Sequence, residues 1–251
     1  MIARATRVAD SKADDILAAQ LHAHGYAVIP PDDRVDAFVR DVYLREMKPA
    51  WDNEVNTWRD PPTGGTYKLF LADVCERCPS VLEMLDGRTA SCLRAYYRAK
   101  FQYSYVEPYR TFPAVGELPK SWKWHHDAVA PAILKLMVYL NGATAETGAL
   151  RVLDHIKTSE LRGAGFRSRV DSERYADEFE RCHVALEGPP GTAVIIDNRV
   201  LHKATAPQRG FRDVVCFQIL PSVVDERDAR KRGSRSYAPT TPQYPWLPRL
   251  W

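Results

Sequence analysis

The tetrad Trp124-His125-His126-Asp127 is the stretch of this chain best suited to chemistry. Successive side chains of an extended strand alternate between its two faces. Read as a strand, the tetrad places His125 and Asp127 on one face and His126 on the other. One imidazole and one carboxylate side by side are two ligands of a 2-His-1-carboxylate metal site, which needs a further histidine from a distant segment. His22 and His24 fall in an N-terminal helix, where a solvated face is the default. His155 reads as part of a loop after a strand, and His183 starts a strand behind a charged stretch. His202 differs: it follows the turn Asp197-Asn198-Arg199, opens a short strand, and precedes Arg212 by ten residues. A lone histidine is more often structural than a ligand. What sets His202 apart is its company, the His-x-Asp pair upstream and the arginine downstream.

The elements that must position these residues lie mostly in the second half. The runs 132–140, 149–153, 184–186, 193–196 and 211–220 read as strands, and Asn141-Gly142, Gly188-Pro189-Pro190-Gly191 and Asp197-Asn198 read as turns between them. Several short strands at close spacing predict a sandwich or jelly roll. Ahead of them come a helix over 14–24 capped by Asp10-Ser11 and ended by Gly25, and a strand at 26–29. A second helix opens at Asp32-Asp33 with Val35, Phe38, Val39 and Val42 on one face. The segment 51–68 reads as a long loop, 79–85 as a short helix, 88–100 as helix, 101–106 as strand and 108–119 as a proline-bearing loop. A polar insertion with a helix near 172–179 occupies 155–182. The whole is expected to be one domain over 1–251: a mostly helical flank (1–100), a β core (101–220) and a C-terminal arm (221–251).

Composition narrows the class. Hydrophobic residues make up 45% and charged residues 27%, the balance of an ordinary globular protein with a sizeable core. Five cysteines without framework spacing, including a lone Cys75-Glu76-Arg77-Cys78, read as reduced thiols. The N-terminus lacks the apolar run of a signal peptide, and no window approaches a membrane span of roughly 20 apolar residues. A cytoplasmic enzyme without a membrane partner is the expectation. The net charge of +3 selects no nucleic-acid partner, and the basic run between Arg227 and Arg235 reads as a solvated tail.

From Trp122 to Leu220 the chain resembles a known family. The tetrad is followed by Leu134-Lys135-Leu136-Met137-Val138-Tyr139-Leu140-Asn141, by Glu146-Thr147-Gly148-Ala149-Leu150-Arg151-Val152, and by Gly191-Thr192-Ala193-Val194-Ile195-Ile196-Asp197. With His202 and Arg212 these look like the phytanoyl-CoA dioxygenase superfamily of Fe(II)/2-oxoglutarate-dependent oxygenases. The resemblance implies a mainly β fold with flanking helices around a double-stranded β-helix (jelly-roll, cupin-like) core. It implies Fe(II) held by His125, Asp127 and His202, with His126 left to packing. Arg212 would pair with the distal carboxylate of 2-oxoglutarate, Arg209 being the fallback; a planar guanidinium suits a carboxylate and stays charged when buried. Further contacts to the cosubstrate are expected from Lys135, Met137 and Tyr139, which share one strand face, and from Gln102 upstream. Lys135 has a competing reading as a strand-end lysine reaching solvent.

The implied activity is hydroxylation of an unactivated C–H of a small molecule, consuming O2 and releasing succinate and CO2, with desaturation or cyclisation as variants. Asp127 fills the position that halogenating relatives leave to a small residue. Departures from the family pattern are Leu153-Asp154-His155-Ile156 in place of Pro-Gly-Ser-His, Ala204 where a small hydroxyl residue is common, and Val214 two residues past the arginine. Competing classes are a nucleic-acid- or protein-modifying oxygenase with the same site, a zinc hydrolase, and a metal-free β-sandwich binding module. Trp58, Tyr109, Arg110, Arg167 and Arg169 are the aromatic and basic candidates for the substrate pocket.

Overall fold

The computed structural model describes residues 12–59, 68–113, 122–127 and 132–222. In chain order these form α1 (Lys12–His24), β1 (Tyr26–Ile29), α2 (Asp33–Phe38), a π-helical segment (Val39–Met47), α3 (Lys48–Asp52), β2 (Thr57–Arg59), β3 (Lys68–Leu71) and α4 (Val74–Arg77). There follow a 3-10 helix (Pro79–Leu85), α5 (Gly87–Tyr97), β4 (Lys100–Thr111), β5 (Leu134–Tyr139), β6 (Leu150–Val152) and α6 (His155–Gly163). A 3-10 turn (Arg169–Ser172), α7 (Ala176–Cys182), β7 (Val184–Leu186), β8 (Ala193–Asp197), β9 (His202–Lys203) and β10 (Arg212–Ser222) complete the set.

The strands make two antiparallel sheets, a major one in the order β1-β8-β5-β10-β4-β3-β2 and a minor one in the order β7-β6-β9. This is the double-stranded β-helix with flanking helices that the sequence implies. The 1–100 segment was expected to be a mostly helical flank, yet it also supplies β1, β2 and β3 to the major sheet. β1 was legible from its apolar run. β2 and β3 were not: β2 lies inside the Pro- and Gly-bearing stretch read as a loop over 51–68, and β3 begins at its end.

Alternation along the central strands divides two cores. Val215, Phe217 and Ile219 of β10 pack outward with Leu136 and Val138 of β5 against the helical layer, where Leu21, Phe38, Met47 and Trp51 are buried. Val214 and Cys216 point inward with Met137 and Tyr139, facing Leu150, Val152 and Leu186 of the minor sheet. The site lies on this inner face. A third core (Trp124, Leu153, Leu161, Phe166, Phe179 and Leu201) seats the 155–182 insertion, with Trp124 stacked on Phe179 at 4.5 Å between ring centroids.

Three local readings change. β4 runs on through Pro108, which pairs with Val215 of β10; β3 pairs only with Tyr109 to Thr111, so the missing N–H of Pro108 interrupts no ladder. His155 does not sit in a loop but opens α6, whose N-cap Asp154 accepts a hydrogen bond from Lys157 N at 2.7 Å. The tetrad is not a regular strand: His125 makes an isolated antiparallel bridge with His202. The Asp10-Ser11 cap, the tail from 223 onward and its basic run lie outside the described residues.

Candidate metal centre

Backbone pairing brings the two histidines together. His125 N donates to His202 O at 3.0 Å, and His202 N donates to His125 O at 2.8 Å. Asp127 N is held by Asn198 O at 2.9 Å, which draws the third residue under the turn preceding His202. The ligand atoms of His125, Asp127 and His202 lie within 4.8 Å of one another, the one such group among the described residues. Asp127 Oδ1 is 3.6 Å from His125 Nε2, and its Oδ2 is 3.8 Å from His202 Nε2.

The histidines are set for coordination. Nδ1 of His125 meets Lys123 O at 2.8 Å, and Nδ1 of His202 meets Val200 O at 2.9 Å. A carbonyl oxygen only accepts, so each Nδ1 carries the proton and each Nε2 presents a lone pair, as in metal-bound imidazoles oriented by backbone carbonyls. Burial pushes the His125 pKa down to about 4, helped by Arg169 and Lys135, and that of His202 down to about 3. Both are neutral at pH 7. His202 is 2% exposed and its Nε2 has no hydrogen-bond partner. A buried polar atom without a partner is costly, and a cation held at this point would satisfy it.

Lys135 is not a strand-end lysine reaching solvent. Its Nζ donates to Asp127 Oδ2 at 3.0 Å. Burial alone would raise the Asp127 carboxyl, but Lys135 and the two histidines outweigh it and hold it at about 2. Arg169, from the insertion, brings Nη2 to 3.9 Å from Asp127 Oδ1. The sequence marked Arg169 only as a pocket candidate, because nothing local says that the insertion folds back over the tetrad; the link is Ser172 Oγ, which accepts from Trp124 N at 3.1 Å.

Arg212 is fully buried on the same inner face. Its Nη1 donates to Gly148 O, its Nη2 lies 3.5 Å from Thr111 Oγ1, and its Nε has no partner. Among the described residues no carboxylate lies within ion-pair distance of it. Gly148 is required where it stands: φ is +94°, and a Cβ there would meet Thr205 O at 2.6 Å. Arg209, the fallback, is turned away, 80% exposed and paired with Glu146 at 2.7 Å.

Met137 and Tyr139 line the inner face, Tyr139 accepting from Leu150 N at 3.1 Å. Gln102 pairs with Leu220 beyond a bulge in β10, and among the described residues no hydrogen bond joins its side chain to the triad. His155 stands apart, its Nε2 3.9 Å from Asp197 Oδ2. Of the proposed pocket residues, Tyr109 and Trp58 belong to the inner core, Arg167 donates to Arg162 O away from the triad, and Arg110 is consumed by Asp213 and Asp52.

A jelly roll that closes a His-x-Asp…His cluster over a buried arginine is the arrangement that the resemblance to the Fe(II)/2-oxoglutarate-dependent oxygenases implies. Residues 113–210, which hold the whole triad, match the family model of phytanoyl-CoA dioxygenase (PhyH). SnoN, a non-heme alpha-ketoglutarate-dependent epimerase from nogalamycin biosynthesis, superposes with a TM-score of 0.62 at 19% identity, covering 83% of each chain. SnoK, a carbocyclase from the same biosynthesis, gives 0.59 at 18% identity over 88% of this chain and 90% of its own. EctD from S. alaskensis, solved with bound Fe, gives 0.59 at 20% identity over 86% of this chain and 79% of its own. At these identities the likeness is one of fold. No curated protein sequence matches the chain.

Proposed function

We propose that this protein is an Fe(II)/2-oxoglutarate-dependent hydroxylase acting on a small molecule, with His125, Asp127 and His202 as the iron ligands. The observation that carries the reading is the buried, unpartnered Nε2 of His202, converging with His125 and Asp127. When bound, iron and 2-oxoglutarate supply the activation of O2 and the oxidation of a C–H bond, and succinate and CO2 leave. The chain's own residues bind and orient. Arg212 offers its free Nε edge to the distal carboxylate of 2-oxoglutarate. Met137 and Tyr139 shape the apolar wall on which the cosubstrate's methylenes would lie. Lys135, donating to Asp127 Oδ2, would hold that carboxylate ionised and oriented for the metal. Gln102 is the weakest member of the proposed set, since no observed contact ties it to the others.

Hydroxylation is favoured over halogenation because Asp127 fills the ligand position that a halide would take. SnoN and SnoK are named as an epimerase and a carbocyclase, so the fold also hosts other outcomes of the same chemistry. The test is a substrate-screened assay of succinate release from Fe(II)-loaded protein, with product mass as the readout. A gain of one oxygen atom supports hydroxylation; an unchanged mass or loss of two hydrogens replaces it with epimerisation or with desaturation or cyclisation. If the protein binds no Fe(II), and 2-oxoglutarate leaves its melting temperature unchanged, the oxygenase reading is wrong. Zinc-dependent hydrolysis or metal-free binding then takes its place.

A further inference from the structure

The two histidines of the centre are oriented in the same way from the same part of the chain. Nδ1 of His202 donates to Val200 O at 2.9 Å, and Nδ1 of His125 donates to Lys123 O at 2.8 Å. Each accepting carbonyl lies two residues upstream of its histidine. The peptide unit that carries it also carries the N–H of the intervening residue, and that N–H donates to a hydroxyl. Leu201 N donates to Thr158 Oγ1 at 3.0 Å, and Trp124 N to Ser172 Oγ at 3.1 Å. Both hydroxyls belong to the 155–182 insertion, Thr158 to α6 and Ser172 to the end of the 3-10 turn.

Neither contact is supplied by a sheet. β9 begins at His202, so Leu201 N lies outside the pairing of β6 with β9, and Leu201 is fully buried. Its O accepts from Leu153 N at 2.8 Å, which leaves its N–H to Thr158. A buried N–H needs an acceptor, and α6 turns Thr158 inward beside Leu161 to provide one. A trans peptide unit is planar, with its N–H and C=O on opposite sides, so holding the N–H also aims the carbonyl. Donation from the N–H makes that carbonyl the stronger acceptor. A carbonyl that accepts from Nδ1 sets the plane of the imidazole and raises the basicity of Nε2.

We propose that Thr158 and Ser172 are positioning residues for the metal centre, each acting on one histidine ligand through one peptide plane. The insertion then tunes metal affinity without touching the metal. This rests on the reading of His125, Asp127 and His202 as the ligands. Thr158 is buried and governs His202. Ser172 is half-buried and governs His125 less strongly, because water can replace a hydroxyl lost there.

The test uses the full-length protein, loaded with Ni(II) for calorimetry and with Co(II) for proton NMR. Each ligating imidazole contributes one exchangeable Nδ1–H resonance shifted by the metal. Thr158→Val keeps the shape and removes the acceptor. It is expected to weaken Ni(II) binding about tenfold, as loss of an outer partner of a metal ligand does, and to speed solvent exchange of one Nδ1–H only. Ser172→Ala should speed exchange of the other Nδ1–H and weaken Ni(II) by less. Thr158→Ser should stay within about twofold of the parent in Ni(II) affinity. Thr158→Cys, with a weaker acceptor, should fall between the valine and serine variants, and it carries the test if Thr158→Val does not fold. A general loss of stability would move both protons together. If Thr158→Val leaves Ni(II) affinity and both exchange rates at parent values, or speeds both protons while Thr158→Ser does the same, the relay is refuted and the metal centre stands. If the parent binds neither Ni(II) nor Co(II), the metal-centre reading falls and the relay with it.

Discussion

Arg110 and Asp213 lie directly opposite each other on β4 and β10, one residue from the Thr111 and Arg212 pair. Arg110 donates through Nε and Nη2 to the two carboxylate oxygens of Asp213 at 2.7 and 2.8 Å, stacks on Phe211 at 3.8 Å and reaches Asp52 at 2.7 Å. Tyr43 of the π-helical segment adds its hydroxyl to Asp213 Oδ2 at 2.9 Å. Asp213 is fully buried and Arg110 nearly so. Arg110→Met keeps the packing of the stem and strands the carboxylate. Breaking one side of a buried pair costs about 3–5 kcal/mol. At about 2–4 °C per kcal/mol for a chain of this size, the melting temperature should drop by roughly 6–20 °C.

The loss has a pH signature. Burial already pushes the Asp213 carboxyl up, and the Arg110 and Tyr43 contacts oppose it. Without Arg110 its folded pKa rises further above the unfolded value of about 3.9. A folded-state pKa that is raised makes the folded form the better proton binder, so relative stability returns as pH falls through it. The gap between parent and variant should therefore narrow from pH 8 to pH 5 in thermal melts. Adding Asp213→Asn to Arg110→Met should recover part of the loss. A melting temperature within 2 °C of the parent at pH 8, or a gap that widens on acidification, would refute the reasoning.

Other outcomes follow from the same geometry. His125→Ala and His202→Ala should abolish stoichiometric Fe(II) or Ni(II) binding, measured by calorimetry, while His126→Ala should leave it intact. Arg212→Leu should cut 2-oxoglutarate affinity by more than tenfold, whereas Arg209→Leu, whose side chain pairs only with exposed Glu146, should change it less than twofold. Phe179→Ala should cost about 3–5 kcal/mol in denaturant melts, because it empties the core that seats the insertion on Trp124, and should loosen Arg169 from the site.

The residues of the centre were legible in one dimension. His-x-Asp is a two-residue spacing of two ligand types, and the His202 to Arg212 interval spans one turn and one strand start. Local chemistry of that kind survives any packing. The helix ending at Gly25, β1 and the apolar alternation of β5 and β10 were readable for the same reason, since burial of one face imprints a period on the chain. What lay beyond the sequence was everything settled by pairing at long range. Nothing local tells that Thr111 stands between Lys68 and Arg212 in the major sheet, because a register across three strands is set by the summed fit of the whole sheet. Nothing local tells that Lys135 turns to Asp127 rather than to water, or that Arg110 spends its charge on Asp213. A charged side chain goes wherever folding leaves an opposite charge out of reach of solvent, and only the tertiary structure decides where that is.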